Sequence, residues 1–379
     1  MILQLFSFIT RSNRNAILFF VIISSFFFVG NNHLHLFDWD EINFAESSRE
    51  MIASSNYLKV QINFTSFWEK PPLFFWMQVL SMKVFGINEF AARFPNALFG
   101  FFYLITFYFI GKSHFNAKFG IIWALLFFGS LLPHLYFKSG IIDPVFNFFI
   151  FLSIYFMIIS FKGEYKQFAL FAFLSGIFSG LSVLTKGPVG FLILALTFMA
   201  YIVIKRFKVL PNYKSILLFS LGLIATLSVW IGIEYYSNGW EILIQFIEYQ
   251  LDLFNSGVAG HEQPFYYHFV VVFFGCFPIS IFALPLFFKK SNAISYDLKA
   301  WMLCLFWVVM ILFSITTTKI IHYSSLTYIP LSFVAALFFH RAEMKELKFS
   351  KIILRLYLIV DLIVGIIITV LPVILINKE

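Results

Sequence analysis

Charge is what this sequence has least of. Only 12% of its 379 residues are Asp, Glu, Lys or Arg, while 60% are hydrophobic and the mean hydropathy is +0.87. A soluble domain carries about twice that charge. A chain with so little polar surface cannot cover a core in water, so a soluble globular fold is excluded and lipid is its solvent. Cysteine is nearly missing as well. Cys276 and Cys304 both lie inside apolar runs, which argues against a disulfide framework or a thiolate metal site. Low-complexity linkers and a clear internal repeat are absent. The sequence stops just after its last apolar run, so the expectation is one polytopic membrane domain over 1–379 with no soluble C-terminal domain.

What the chain has instead is apolar runs, rich in Phe (56 residues), at about 16–30, 91–110, 118–135, 141–160, 168–184, 188–204, 216–236, 266–288, 300–316, 323–339 and 356–376. About 20 residues cross the hydrocarbon core of a bilayer, so each run can span with some tilt. The first run follows Arg11 and Arg14, and its end, Phe26-Phe27-Phe28-Val29-Gly30, lacks a small-residue cleavage pattern, so it reads as a retained anchor. Starting from a cytoplasmic N-terminus, the inside segments hold 18 of the 27 Lys and Arg, and the outside segments hold 14 of the 19 Asp and Glu. This is the bias that positive-inside insertion produces. The formal charge of +8 therefore reflects topology, and no nucleic-acid partner is expected. The fold class that follows is all-α integral membrane, with about 11 transmembrane helices. Two outer loops are long, about 31–90 and 237–265.

In the first of them, the segment from Asp38 to Ile52 reads as a helix lying on the membrane. Asp40 is its expected cap. Ile42, Ala45 and Ile52 fall near one face and the i,i+4 pair Glu46 and Glu50 on another. A second helix is expected after Pro71-Pro72, because proline is tolerated in a first helical turn, and its Leu73-Phe74-Phe75-Trp76 suits the membrane interface. Glu69 and Lys70 stand directly before those prolines. Composition alone leaves two readings of these charges open, a solvated acidic loop or a site.

The motifs favour a site. DWDEINFAESSREM, then WEKPPLFFW, then FGINEFAARFPNAL, in that order and spacing over about residues 38–100, resemble the bacterial aminoarabinose transferase and dolichyl-phosphate-mannose protein mannosyltransferase superfamily. Weaker echoes follow at Asp143-Pro144, Thr185-Lys186-Gly187-Pro188, Pro264-Phe265-Tyr266-Tyr267 and Lys319…His322-Tyr323…Pro330. The resemblance implies a GT-C fold with surface helices in the first periplasmic loop. It also implies a sugar donor linked to polyprenyl phosphate, used on the outer face of the membrane, and a glycolipid, lipid A-like or protein acceptor. The location that follows is a bacterial inner membrane, multi-pass, with the active site periplasmic.

Such chemistry makes two demands on side chains. A carboxylate must stand near the anomeric carbon to take an acceptor proton or orient the acceptor. The family's Asp-Glu motif falls on Asp40, with Glu41 and Asp38 beside it. Asp143 matches a further family position, and reads equally as a contact to donor or acceptor or as a helix cap. Fixed cations must also stabilise the leaving phosphate. The resemblance puts Lys70, Lys186, Lys319 and Tyr323 there. Snorkelling at a helix terminus is the ordinary reading of Lys186 and Lys319, and Gly187-Pro188 is expected to break the helix and free backbone N–H groups for the same phosphate. In the aminoarabinose branch a Glu and a His can share a divalent ion (zinc, magnesium or manganese), and the matching residues are Glu69 and His261. Two protein ligands fall short of the usual four.

A lipid-sugar flippase or transporter is the competing class, but it would show inverted repeats and ionisable residues at mid-membrane. Asp361 is the only acid well inside a run. A polymerase of polysaccharide repeats would call for arginines in a late outer loop, and the outside arginines, Arg49 and Arg93, are both early.

Overall fold

In lipid no water satisfies the backbone, so apolar runs become helices that bond internally. The computed structural model describes residues 8–376 apart from 68, 162–164, 256–261 and 288–295, and it is mostly helical. Among the described residues six helices are long and apolar enough to cross a membrane: Glu89–His114, Asp143–Ser160, Phe168–Lys186, Tyr213–Asn238, Leu298–Ile315 and Ile321–Glu343. The pair Tyr267–Gly275 and Ile279–Phe287, bent by 116°, makes a seventh if it counts as one span. Four apolar helices are shorter, Asn13–Phe27, Leu73–Phe85, Ala117–Phe128 and Val189–Ile204. Two runs that read as single spans are thus each broken. The run 118–135 divides at Gly129-Ser130 into Ala117–Phe128 and Leu131–Tyr136, and the run 266–288 bends at Cys276–Pro278.

The core is aromatic. Phe107 stacks on Trp123, and Tyr103 stacks on Phe127. Tyr201 stacks on Trp301 near the other end of the chain. The helices Tyr165–Lys186 and Tyr213–Asn238 pack backbone to backbone. A Cβ on Gly176 would run into the carbonyl oxygen of Phe219, and one on Gly222 into that of Phe173. Small residues allow such close approach where lipid removes the usual hydrophobic drive between helices. Gly176→Ala is therefore expected to destabilise by about 1–3 kcal/mol through overpacking. Gly232→Ala, on the same helix as Gly222 but with nothing within 4 Å of its Cβ, should not. Thermal melting of the two variants in detergent checks this, and equal melting points would contradict the close packing.

The first long loop carries α1 (Trp39–Ser54), a two-stranded hairpin (Gln61–Ile62 with Thr65–Ser66) and α2 (Leu73–Phe85). Pro72 stands at the start of α2, as expected. Three details differ from the sequence reading. The cap of α1 is Asp38, whose Oδ1 accepts from the Asp40 N–H at 3.0 Å, so Asp40 is freed to point elsewhere. Glu50 is buried, because its Oε2 accepts from Phe64 N–H and pins the hairpin to α1. Phe74 and Phe75 are fully buried against Phe44 rather than set at an interface. α1 is a packed element, with core on more than one side.

Candidate active site

Glu41 and Asp40 are neighbours in the first turn of α1 and have opposite surroundings. Glu41 is fully buried, and Arg93 grips both its oxygens at 2.8 and 3.1 Å. Glu41 Oε1 also accepts from Gly140 N–H at 2.7 Å, and Oε2 from Phe37 N–H at 3.3 Å. The remaining Arg93 hydrogens go to the carbonyls of Asn31, Leu34 and His35. Every group in this pair is committed, which is the condition under which a buried ion pair is tolerated. Asn96 adds hydrogen bonds to the carbonyls of Ser139 and Ile141, at 2.6 Å each. The segment 139–142 is thereby fixed, and it delivers Asp143.

Asp143 is the first residue of the helix Asp143–Ser160 and makes no capping bond, so the cap reading does not hold. Its Oδ1 pairs with Lys186 Nζ at 2.6 Å. Lys186 ends the helix Tyr165–Lys186, and its side chain is 11% exposed, so it turns inward rather than snorkelling. Its ammonium also stands 5.0 Å from the centre of the Tyr323 ring. Gly187 takes the positive φ of +88° that ends the helix, but its N–H closes onto Val183 O at 2.8 Å and is not free for a phosphate.

A 3-10 turn, Ile321–Thr327, brings in a residue that the sequence reading gave no role. His322 Nε2 lies 3.1 Å from Asp40 Oδ2 and 3.8 Å from Asp143 Oδ2. It is aligned as a hydrogen bond on neither. The turn is held by Asn147, which donates to Ser325 Oγ at 2.8 Å. The available signal was the spacing of His322, three after Lys319 and one before Tyr323. Nothing in one dimension pointed it at Asp40.

A cavity of about 180 Å³ adjoins this cluster. Glu69, Lys70, Asp143, Asn147, Lys186 and Tyr323 supply its polar lining, and Phe146, Ile193, Phe313 and Leu326 are among its apolar walls. Lys70 is ion-paired with Glu69. Asp40 does not line the cavity but feels the charges of both Lys70 and Lys186. Burial pushes its carboxyl up, and the contact and charge of His322 together with the two lysines outweigh that, holding it below the usual carboxylate range. Lys319 does not line the cavity either. It is 6% exposed, and its Nζ donates to Thr316 O at 2.5 Å. His261 lies outside the described residues. Among the described residues no three His, Cys, Asp or Glu side chains gather as metal ligands, and Glu69 faces Lys70, so they do not by themselves form a divalent-ion site.

The family model of dolichyl-phosphate-mannose-protein mannosyltransferase matches residues 69–231. An undecaprenyl phosphate-alpha-4-amino-4-deoxy-L-arabinose arabinosyl transferase of Wigglesworthia glossinidia brevipalpis is 26% identical over 94% of this chain and 64% of its own. An uncharacterized protein of Aquifex aeolicus is 28% identical over 84% of this chain and 72% of its own. The crystal structure of ArnT from Cupriavidus metallidurans bound to undecaprenyl phosphate superposes with a TM-score of 0.77 at 20% identity, over 87% of this chain and 61% of that one. This likeness shows a shared GT-C fold. The chain thus spans under two thirds of the length of the arabinosyl transferase and of ArnT.

Proposed function

We propose that this chain belongs to the aminoarabinose transferase and protein mannosyltransferase superfamily and moves a sugar from a polyprenyl-phosphate donor to an acceptor on the outer face of a bacterial inner membrane. The observation that carries this reading is the meeting of a partly open carboxylate, Asp40 at 21% exposure, with two inward-turned lysines beside an apolar-walled cavity. Breaking the bond between sugar C1 and the phosphate oxygen leaves charge on the phosphate. Lys70 and Lys186 offer fixed positive charge where that oxygen would lie, in a site with little water, where such stabilisation is strongest. Glu69 and Asp143 hold the two ammonium groups in place, and Tyr323 closes the cavity beside Lys186. The apolar walls suit the first isoprene units. Lys319 would act from beyond the cavity, on a phosphate that extends past Tyr323. Asp40 faces the acceptor. A glycolipid, a lipid A-like molecule or a protein all offer the nucleophilic oxygen required.

This reading takes residues 1–379 as one membrane domain that crosses eleven times. Asn13–Phe27 is the first pass, the broken helices at 118–135 and 266–288 are one pass each, and Lys351–Ile376 is the last. The N-terminus is then inside. Reporter fusions are expected to place residues 60 and 250 outside and residue 210 inside. A cytoplasmic signal at residue 60 would remove Asp40 from the compartment where lipid-linked sugars are used.

Lys70→Ala and Lys186→Ala are each expected to lower transfer about 10- to 100-fold, the value of a charge-assisted contact of about 1.5–3 kcal/mol. Lys138→Ala should be silent, since that ammonium only meets Val29 O near the surface. Mass spectrometry of envelope glycolipids and glycoproteins, with and without the gene, tests the activity itself. An unchanged glycan profile would overturn it.

A further inference from the structure

Three groups stand in a row at the site, and only the first is open. Asp40 is 21% exposed, His322 5% and Asp143 3%. The outermost group is the one an acceptor can reach, and the next one inward is an imidazole whose Nε2 has no aligned hydrogen-bond partner. Asp143 Oδ2, 3.8 Å further on, is buried and also unpartnered, while its Oδ1 is held by Lys186. A carboxylate that two lysines and an imidazole hold in its ionised form keeps a captured proton poorly. An imidazole nitrogen stands 3.1 Å from it, close enough to receive that proton.

We propose that His322 takes over the proton that Asp40 removes from the acceptor, so that the acceptor is a neutral hydroxyl rather than an anionic phosphate. The inference rests on the glycosyl-transfer reading. In the step, the acceptor O–H bond breaks as its oxygen bonds to sugar C1, and the C1–O bond to phosphate breaks with its electron pair going to the phosphate. The proton passes to Asp40 Oδ2 and across 3.1 Å to His322 Nε2. The imidazolium then stands between two carboxylates until the product leaves and water removes the proton. An acceptor phosphate, already ionised, would bring no proton and would meet Asp40 and Asp143 as like charges. The charged and titratable groups facing His322 are Asp40 on α1, Asp143 and Lys186 on the two helix ends, Tyr323 on its own turn, and His268 and Lys319 across from it.

The test uses membranes containing the full chain, supplied with radiolabelled polyprenyl-phosphate sugars extracted from the same cells. A sugar on a hydroxyl survives mild acid, whereas a sugar on a phosphate is released. The expected product is acid-stable. His322→Gln keeps a polar group at that position but cannot take up the proton. It should lower kcat about 100-fold and leave the donor KM unchanged. A purely structural histidine would change KM or yield instead. Acid-labile product, or an unchanged kcat in His322→Gln, overturns the proposal while leaving glycosyl transfer standing. No transfer of either kind overturns both. If His322→Gln is not recovered folded, the acid stability of the wild-type product decides alone.

Discussion

Asp40→Asn is expected to lower sugar transfer by about 100-fold or more, the usual scale for removing a general base, and to leave the protein folded and inserted. The change keeps the size of the side chain and removes its charge. Nothing structural hangs on that charge, because the α1 cap is made by Asp38 and the buried ion pair by Glu41. What is lost is the carboxylate charge beside His322. Asp38→Asn is the internal control, since asparagine caps a helix as well as aspartate does and the bond to Asp40 N–H survives. It should retain most activity. Transfer by purified protein from a polyprenyl-phosphate sugar measures both. Near-normal turnover of Asp40→Asn with loss in Asp38→Asn would move the base to the cap residue, and full activity in both would take the chemistry away from α1.

Glu41→Ala has the second large effect, and it falls on stability. Removing one partner strands Arg93, 2% exposed, as a buried unpaired charge, at a cost of about 3–5 kcal/mol. Gly140 N–H loses its acceptor at the same time, and the segment that delivers Asp143 loosens. Melting in detergent should therefore fall steeply, with transfer falling alongside it. Replacing both partners by methionine removes the stranded charge but leaves Gly140 N–H and the three carbonyls unpaired, so it should recover only part of the melting temperature and little of the activity. A Glu41→Ala protein that melts like wild type and yet is inactive would make Glu41 a participant in the chemistry instead of its scaffold.

Much of the candidate site was legible because its parts are local. Glu69-Lys70-Pro71-Pro72 is one contiguous element, and the prolines start α2 where expected. Asp143-Pro144 and Lys186-Gly187-Pro188 carry their own start and stop signals. Asp40 and Glu41 could not be told apart in sequence for a physical reason. An Asp-Glu pair looks alike in sequence, yet successive residues on a helix point about 100° apart, so one carboxylate faced the cavity side and the other the core. Which of the two was which depended on Arg93, 52 residues away. His322 was missed on the same ground, since its partner lies in the first loop and the histidine in the last third of the chain. The breaks at Gly129-Ser130 and Cys276–Pro278 were passed over because apolar residues flank them on both sides, although Gly129, Pro133 and Pro278 are themselves helix-breaking residues.

The sequence by itself determined the lipid solvent and the helical class, and it set the expectation for the side of the membrane on which acids gather, because those follow from composition and from charge summed over whole segments. Only the tertiary structure decided which acid is scaffold and which is open, that Lys186 turns inward to Asp143, and that an imidazole stands between Asp40 and Asp143. Those outcomes depend on distances of a few ångströms between residues far apart in the chain, and helix packing sets such distances while composition does not.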